Sequence, residues 1–399
     1  MKNMKPIKIS FLFNQLTTPT LCTGGEIRGF TIASFFKKNK NFKVEIITSE
    51  ASSKLFPKFK KKIIGHQKIE KYLNRQTLFS SFVLFIERTI ISLFKLSFLK
   101  TDIIYCTGDF FCDIIPTFFT KIIYPKTKAI VCIHHINQNP FKRKTNSFIS
   151  GIISYLVQQL SFFLIKQKFD LIFVVNHQVK QYLLQKKITQ PIIVVGNGLD
   201  IKTIKGQIEN LNDIQPSNHI SYFGRLSVTK GVYDLPIILA KVLKKYPNTQ
   251  LDVVGASIPQ IKNSLIEKFN QQNCQDHFHI HDFIKDKKDI FKILLQSKVI
   301  IFPSYEEGWG ISLFESIMTK RPVVTYNLPI FDEIFEGNLI TAPLGDTKTF
   351  AQKTIKLIDN YQLSSTKNYI KNCYKIAQKY SWEKVFLTEK KYLVKLINQ

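Results

Sequence analysis

Pro303-Ser304-Tyr305-Glu306-Glu307-Gly308-Trp309-Gly310-Ile311-Ser312-Leu313-Phe314-Glu315 is the stretch whose reading decides the fold. Ser297 to Ile301 before it lead into an apolar strand that runs to Phe302. Glycines follow Glu307, and a helix begins near Ser312. Glu307 then lies in the turn and Glu315 about one turn into the helix. Open α/β sheets bind ligands at the carboxyl ends of strands, where helix N-termini attract phosphate. Two carboxylates flanking exposed N–H groups suit a ligand with hydroxyls at both ends and a phosphate between them, the layout of a nucleotide sugar.

Working outward, short apolar runs alternate with longer amphipathic ones, the mark of an α/β fold with parallel sheets. The first series of strands is Ile7–Phe13, Val44–Thr48, Ile103–Cys106, Ala129–His134, Leu171–Val175 and Ile192–Val195. Residues 201–217 are polar and read as an interdomain connection. A second series follows: Ile220–Phe223, Gln250–Val254, Phe278–His281, Val299–Phe302, Val323–Tyr326 and Leu339–Thr341. Two similar domains imply a ligand in the cleft between them. The expected architecture is two Rossmann-like, doubly wound domains, residues 1–198 and 199–377, with a final helix, 378–399, crossing back to the first.

The net charge of +28 is uneven: residues 1–200 hold 30 of the 57 Lys/Arg but only 10 of the 29 Asp/Glu. That field favours an anionic partner, whether a membrane surface, nucleic acid or an acidic substrate, although nucleotide bias in the coding genome also enriches lysine. Nucleic acid is set aside because the charge is diffuse and no recognition motif is present. Leu78 to Leu99 reads as an amphipathic helix, either core-facing or lying on a bilayer, with Lys58, Lys60, Lys61 and Lys62 just upstream. Thr145 to Ile165 carries no charge, but Asn146, Gln158, Gln159 and four serines make it a buried or surface helix rather than a span. The six cysteines, Cys22, Cys106, Cys112, Cys132, Cys274 and Cys373, form no CxxC pair, which fits a reduced, cytoplasmic protein. No secretory signal is read, because Lys2, Lys5 and Lys8 lead straight into the first strand.

Three further pieces carry chemistry. Thr23-Gly24-Gly25-Glu26 is a strand-to-helix turn that either approaches an anion or is simply tight. Gly224-Arg225 ends a strand, and Lys230-Gly231 follows; Arg and Lys converging there would clamp a diphosphate. His134-His135 ends another strand without a carboxylate or cysteine at metal-ligand spacing, so a substrate-facing role is preferred to a metal. GxSxG, HExxH, Walker A and Asp-x-Asp are absent.

These pieces occur in one order. With Val175-Asn176-His177-Gln178-Val179-Lys180, Asn197-Gly198-Leu199-Asp200 and Tyr380-Ser381-Trp382, the chain resembles the retaining glycosyltransferases of family 4, which have the GT-B fold. The resemblance implies that Arg225 and Lys230 hold the donor diphosphate and that Glu315 binds the ribose hydroxyls. It implies that Glu307 contacts the sugar, and that backbone groups around Gly308, Gly310, Ile311 and Ser312 meet the phosphates. Gly24 and Gly25 would close from the other domain, and His134 or His135 would lie near sugar and acceptor. The implied partners are a nucleoside-diphosphate sugar and a saccharide or lipid-linked acceptor, with no metal or other cofactor. A front-face transfer with retention is implied; Glu307 as a covalent nucleophile is the rival. A GT-B epimerase, a phosphorylase and an inactive scaffold are the alternatives to a transferase. The expected location is cytoplasmic, at the inner face of the membrane if the basic half binds lipid.

Overall fold

The computed structural model describes residues 5–16, 23–65, 78–139, 141, 148–211 and 213–398. The chain divides into two compact units. The first comprises residues 1–197 and 382–399, and the second residues 198–381. The first boundary thus lies one residue before the expected one, and the returning helix starts at Trp382 rather than at 378.

The first unit is built on a seven-stranded sheet: β1 (Ile7–Phe13), β2 (Phe42–Thr48), β3 (Lys60–Ile63), β4 (Ile103–Cys106), β5 (Lys128–Ile133), β6 (Leu171–Val174) and β7 (Ile192–Val194). Every pairing is parallel, in the order β3-β2-β1-β4-β5-β6-β7. Central strands of such a sheet are covered on both faces, hence the apolar run Phe11 to Phe13 in β1 and the apolar runs of β4 and β5. The order reverses between β1 and β4, which opens a crevice at their carboxyl ends.

The helix Trp382–Ile397 belongs to this unit and packs on the helix Gly24–Lys38. Phe386 stacks on Phe35 at 5.2 Å and meets Phe36 edge-on at 5.0 Å. Beneath them Arg28 and Glu389 form a buried ion pair, with the Tyr105 hydroxyl donating to Glu389 at 2.9 Å.

The second unit has six parallel strands: β8 (His219–Phe223), β9 (Gln250–Val254), β10 (Phe278–His281), β11 (Ser297–Phe302), β12 (Val323–Tyr326) and β13 (Ile340–Ala342). Their order is β10-β9-β8-β11-β12-β13, reversing between β8 and β11.

Two readings from sequence need correction. Residues 201–217 are not a plain connection, because Ile201–Glu209 is a helix capped by Asp200 with Ile204 buried against the unit. Of the basic run at 58–62, Lys60, Lys61 and Lys62 enter the edge strand β3, and Lys60 and Lys62 pair with Glu45. They are partly neutralised rather than poised as a free cationic patch. Five cysteines are free and buried, and Cys22 lies outside the described residues. Among the described residues no helix is long and apolar enough to cross a membrane.

Candidate functional site

In the second unit, the loops after β8 and β11 meet at the switch point. The N–H groups of Tyr305 and Glu306 both donate to the Thr229 carbonyl, at 2.8 and 3.3 Å. The hydroxyls of Tyr305 and Tyr326 converge on Asp234 at 2.6 and 2.5 Å, which anchors the loop from below. Gly231 sits at φ +68°, and a Cβ there would lie 1.7 Å from the Pro303 carbonyl oxygen. Only glycine lets the two loops approach this closely.

This frame brings Lys230 to Glu307. Its ammonium lies 2.6 Å from Glu307 Oε1 and donates to the Glu306 carbonyl at 3.0 Å. Ser304 donates to the same carboxylate oxygen at 2.9 Å. Glu307 is nearly buried, and Lys230 is the more accessible partner. Arg225 follows β8 with its backbone carbonyl held by the Tyr222 hydroxyl at 3.0 Å, and its side chain is exposed. Its guanidinium makes no hydrogen bond or ion pair among the described residues.

The helix Ile311–Met318 starts one residue earlier than expected, behind Gly310 at φ +91° with no side-chain cap. Its first N–H groups therefore face the crevice without a competing side-chain oxygen. A Cβ on Gly224 would lie 3.5 Å from Ser312 Oγ, so the end of β8 abuts this helix start. Glu315, one turn in, is buried and ion-paired to Lys287 at the start of the helix Lys287–Gln296. Sequence reasoning did not name Lys287. It lies 28 residues before Glu315, and no local spacing signals the pair. Trp309 is a core residue, stacked on Phe314 at 5.6 Å and edge-on to Tyr380 at 5.1 Å.

The first unit holds the remaining residues. Thr23 caps the helix Gly24–Lys38, and Glu26 returns a hydrogen bond to the Thr23 N–H at 2.9 Å, a capping box. Gly25 lies against the His134 ring: a Cβ there would come within 3.0 Å of Cδ2. His134 Nε2 donates to the Thr107 carbonyl at 2.7 Å, which leaves Nδ1 as an acceptor with no partner. Burial, reinforced by the Arg28 charge, pushes the His134 imidazole down to about 3, so it is neutral. His135 is exposed and bonds Asn137 at 3.2 Å. Of the two histidines, His134 is therefore the one built into the crevice.

Asp109, after β4, was not foreseen. Gln158 donates to it at 2.7 Å, and burial raises its carboxyl to about 6. Among the described residues no cluster of three or more His, Cys, Asp or Glu side chains could hold a metal.

A doubly wound pair of units, with a helix returning from the second to the first, is the GT-B fold of glycosyltransferases. Residues 207–376 match the family model described as glycosyl transferases group 1. The chain is 25% identical over 227 residues to the capsular polysaccharide biosynthesis glycosyltransferase CapM of Staphylococcus aureus, covering 54% of this chain and 58% of that protein. It is 24% identical over 206 residues to the processive diacylglycerol alpha-glucosyltransferase of Acholeplasma laidlawii, covering 50% and 59%. The chain thus spans less than two thirds of these curated relatives. Anabaena Alr3699/HepE, solved with UDP and glucose, superposes with a TM-score of 0.74 at 16% identity, covering 98% of this chain and 100% of that one. Sucrose-phosphate synthase of Thermosynechococcus elongatus gives 0.72 at 16% identity, covering 98% and 99%. The resemblance is to the group 1 glycosyltransferases, on a GT-B scaffold.

Proposed function

We propose that the protein is a retaining glycosyltransferase of family 4, moving a sugar from a nucleoside diphosphate to a saccharide or lipid-linked acceptor. One observation carries the reading. Lys230, the strand end that carries Arg225, and an uncapped helix N-terminus meet at one strand-end crevice, with two nearly buried carboxylates beside them.

In this reading Arg225 and Lys230 take the diphosphate, Lys230 turning from Glu307 toward it. The N–H groups following Gly310 meet the same phosphates. Fixed positive charge then stabilises the departing diphosphate, so the step uses no metal. Glu315 accepts from the ribose hydroxyls, and Glu307, held by Ser304, orients the sugar. The C1–O bond to phosphate breaks, the acceptor oxygen bonds C1 on the same face, and its proton passes to the leaving phosphate. His134, neutral and tied through Nε2 to the Thr107 carbonyl, lies near the sugar and acceptor in this reading. The free, buried cysteines support a reading of the reaction in a reducing compartment, the cytoplasm.

The CapM and diacylglycerol glucosyltransferase names support a surface-glycan or glycolipid acceptor. The test is a thermal-shift screen of UDP-, GDP- and ADP-sugars, followed by transfer assays with and without EDTA. A donor that raises Tm and is turned over in EDTA with retained anomeric configuration supports the reading. Inversion, or a strict metal requirement, overturns that part of it. No stabilisation by any nucleotide sugar overturns the whole.

A further inference from the structure

The helix Phe148–Lys168 turns an apolar face outward as well as inward: Phe162 and Ile165 are buried in the core of the first unit. Its exposed described side chains up to residue 163 are Phe148, Ile149, Ile153, Leu156, Leu160 and Phe163, all apolar. From Ile149 the spacings of 4, 3, 4 and 3 place them on one stripe. Gln158 and Ser161 are buried on the other side. A helix that only closed a soluble unit would carry polar side chains on this outer face.

The stripe is not isolated. The helices Leu78–Phe94 and Phe111–Ile123 lie in series beside it on the same face of the sheet. The first exposes Ile86, Ile90 and Phe94, again one turn apart, and the second exposes Phe119, Ile122 and Ile123. Soluble monomers rarely expose contiguous apolar surface of this extent.

Charge decides what covers it. Among the described residues, these three helices expose no carboxylate. Asp113 is buried and Glu87 is half-buried. Exposed Lys95, Lys100, Lys126, Lys166 and Lys168 lie at or just beyond the helix C-termini. Crossover helices of a parallel sheet run in one direction, so these ends share a rim. Asp102 and Asp170 on that rim are already engaged, by the Lys8 N–H and by Lys121. An apolar face bordered by lysines that pair with no carboxylate among the described residues matches acyl chains beneath anionic headgroups. A second copy of the chain would bring the same cations to the contact.

We propose that this three-helix face docks the first unit onto an anionic lipid bilayer, with the Ile149–Phe163 stripe at the headgroup–acyl boundary and the lysine rim on lipid phosphates. Gln158, on the buried side of the same helix, donates to Asp109 at 2.7 Å and to the His135 carbonyl at 3.0 Å. The docked helix therefore also borders the strand-end crevice, and an acceptor carried by lipid would reach it from the bilayer. The docking itself does not depend on the transfer reading.

The test uses no sugar nucleotide. The full chain is sedimented with phosphatidylcholine vesicles, with and without phosphatidylglycerol. Wild type is expected to bind the anionic vesicles, to bind neutral ones far less, and to be released by salt. Ile153→Gln/Leu156→Gln/Phe163→Gln should cut binding about tenfold or more, and Lys95→Ser/Lys126→Ser/Lys166→Ser/Lys168→Ser should remove the anionic preference. Circular dichroism checks that both variants keep their helices, and the wild-type comparison stands without them. Failure of wild type to bind either vesicle overturns the proposal, as does unchanged binding by the folded glutamine variant. So does a wild-type dimer in sedimentation velocity that the glutamine variant dissolves, which would assign the face to a second copy.

Discussion

Gly25 and His134 touch as backbone and ring, so closely that a methyl on residue 25 would lie 3.0 Å from Cδ2 and 3.1 Å from Nε2 of the imidazole. The ring cannot retreat freely, because Nε2 is tied to the Thr107 carbonyl at 2.7 Å. In the helix itself, alanine at residue 25 is favoured over glycine by about 0.5–1 kcal/mol. On the role proposed for His134, Gly25→Ala should therefore change Tm by only a few degrees while lowering turnover about tenfold or more. Thermal unfolding and kcat on the same sample check this. Unchanged turnover would separate His134 from the reaction.

Lys230 and Glu307 form the central ion pair of the second unit, at 2.6 Å. Removing the cation leaves a nearly buried carboxylate with the Ser304 hydroxyl as its remaining side-chain donor. Lys230→Ala should cost about 1–3 kcal/mol of stability, the penalty of an orphaned buried acceptor, and about 10²–10³ in turnover. Lys230→Ala/Glu307→Gln should recover most of the stability and none of the turnover. Chemical denaturation alongside transfer kinetics distinguishes the two effects.

The acid limb of stability carries a signature of His134. Its imidazole is held down to about 3 by burial and the Arg28 charge, against an ordinary value of about 6.5. A depressed base contributes stability that is complete above about 6.5 and lost as pH falls toward 3. Burial raises Asp109 to about 6 and Asp113 to about 7. Their contributions are complete below about 3.9 and are lost as pH rises through 6 and 7, opposing His134 between. His134→Gln should flatten the acid-side decline by at most about 1.4 kcal/mol per pH unit, one proton's worth. Asp113→Asn should instead steepen that acid-side decline between pH 4 and 7, because it removes a contribution that grows as pH falls. Urea midpoints measured from pH 4 to 8 for the three proteins give the comparison.

The parallel architecture was legible because buried central strands write themselves as apolar runs, and Ser297–Phe302 followed by Glu307-Gly308 announces a strand and its turn. Edge and surface elements were less so. The strand Lys60–Ile63 is three lysines and an isoleucine, fixed by pairing with β2 rather than by its own pattern. The helix Ile201–Glu209 hides behind Gly206 and a polar face. At the candidate site, local spacing singled out Glu307, Glu315, Arg225 and Lys230. Partners distant in sequence, such as Lys287 for Glu315 and Gln158 for Asp109, come together only through the sheet order. The outward stripe of Phe148–Lys168 was invisible for another reason: apolar period shows which face is greasy, not which way it points.

Arg28 and Glu389 form a buried ion pair that joins the chain's last helix to its first. The guanidinium also donates to the Tyr105 hydroxyl at 3.2 Å and the Gly196 carbonyl at 3.4 Å, so its charge is fully enclosed by acceptors. Buried pairs add little beyond what an apolar pair of similar size would give, but half of one is costly. Glu389→Ala should therefore destabilise the first unit by about 3–5 kcal/mol, whereas Arg28→Met/Glu389→Leu should cost far less. Urea denaturation followed by circular dichroism measures both. Equal losses in the single and double variants would mean that packing of Phe386 on Phe35 and Phe36, rather than charge compensation, holds the helix in place.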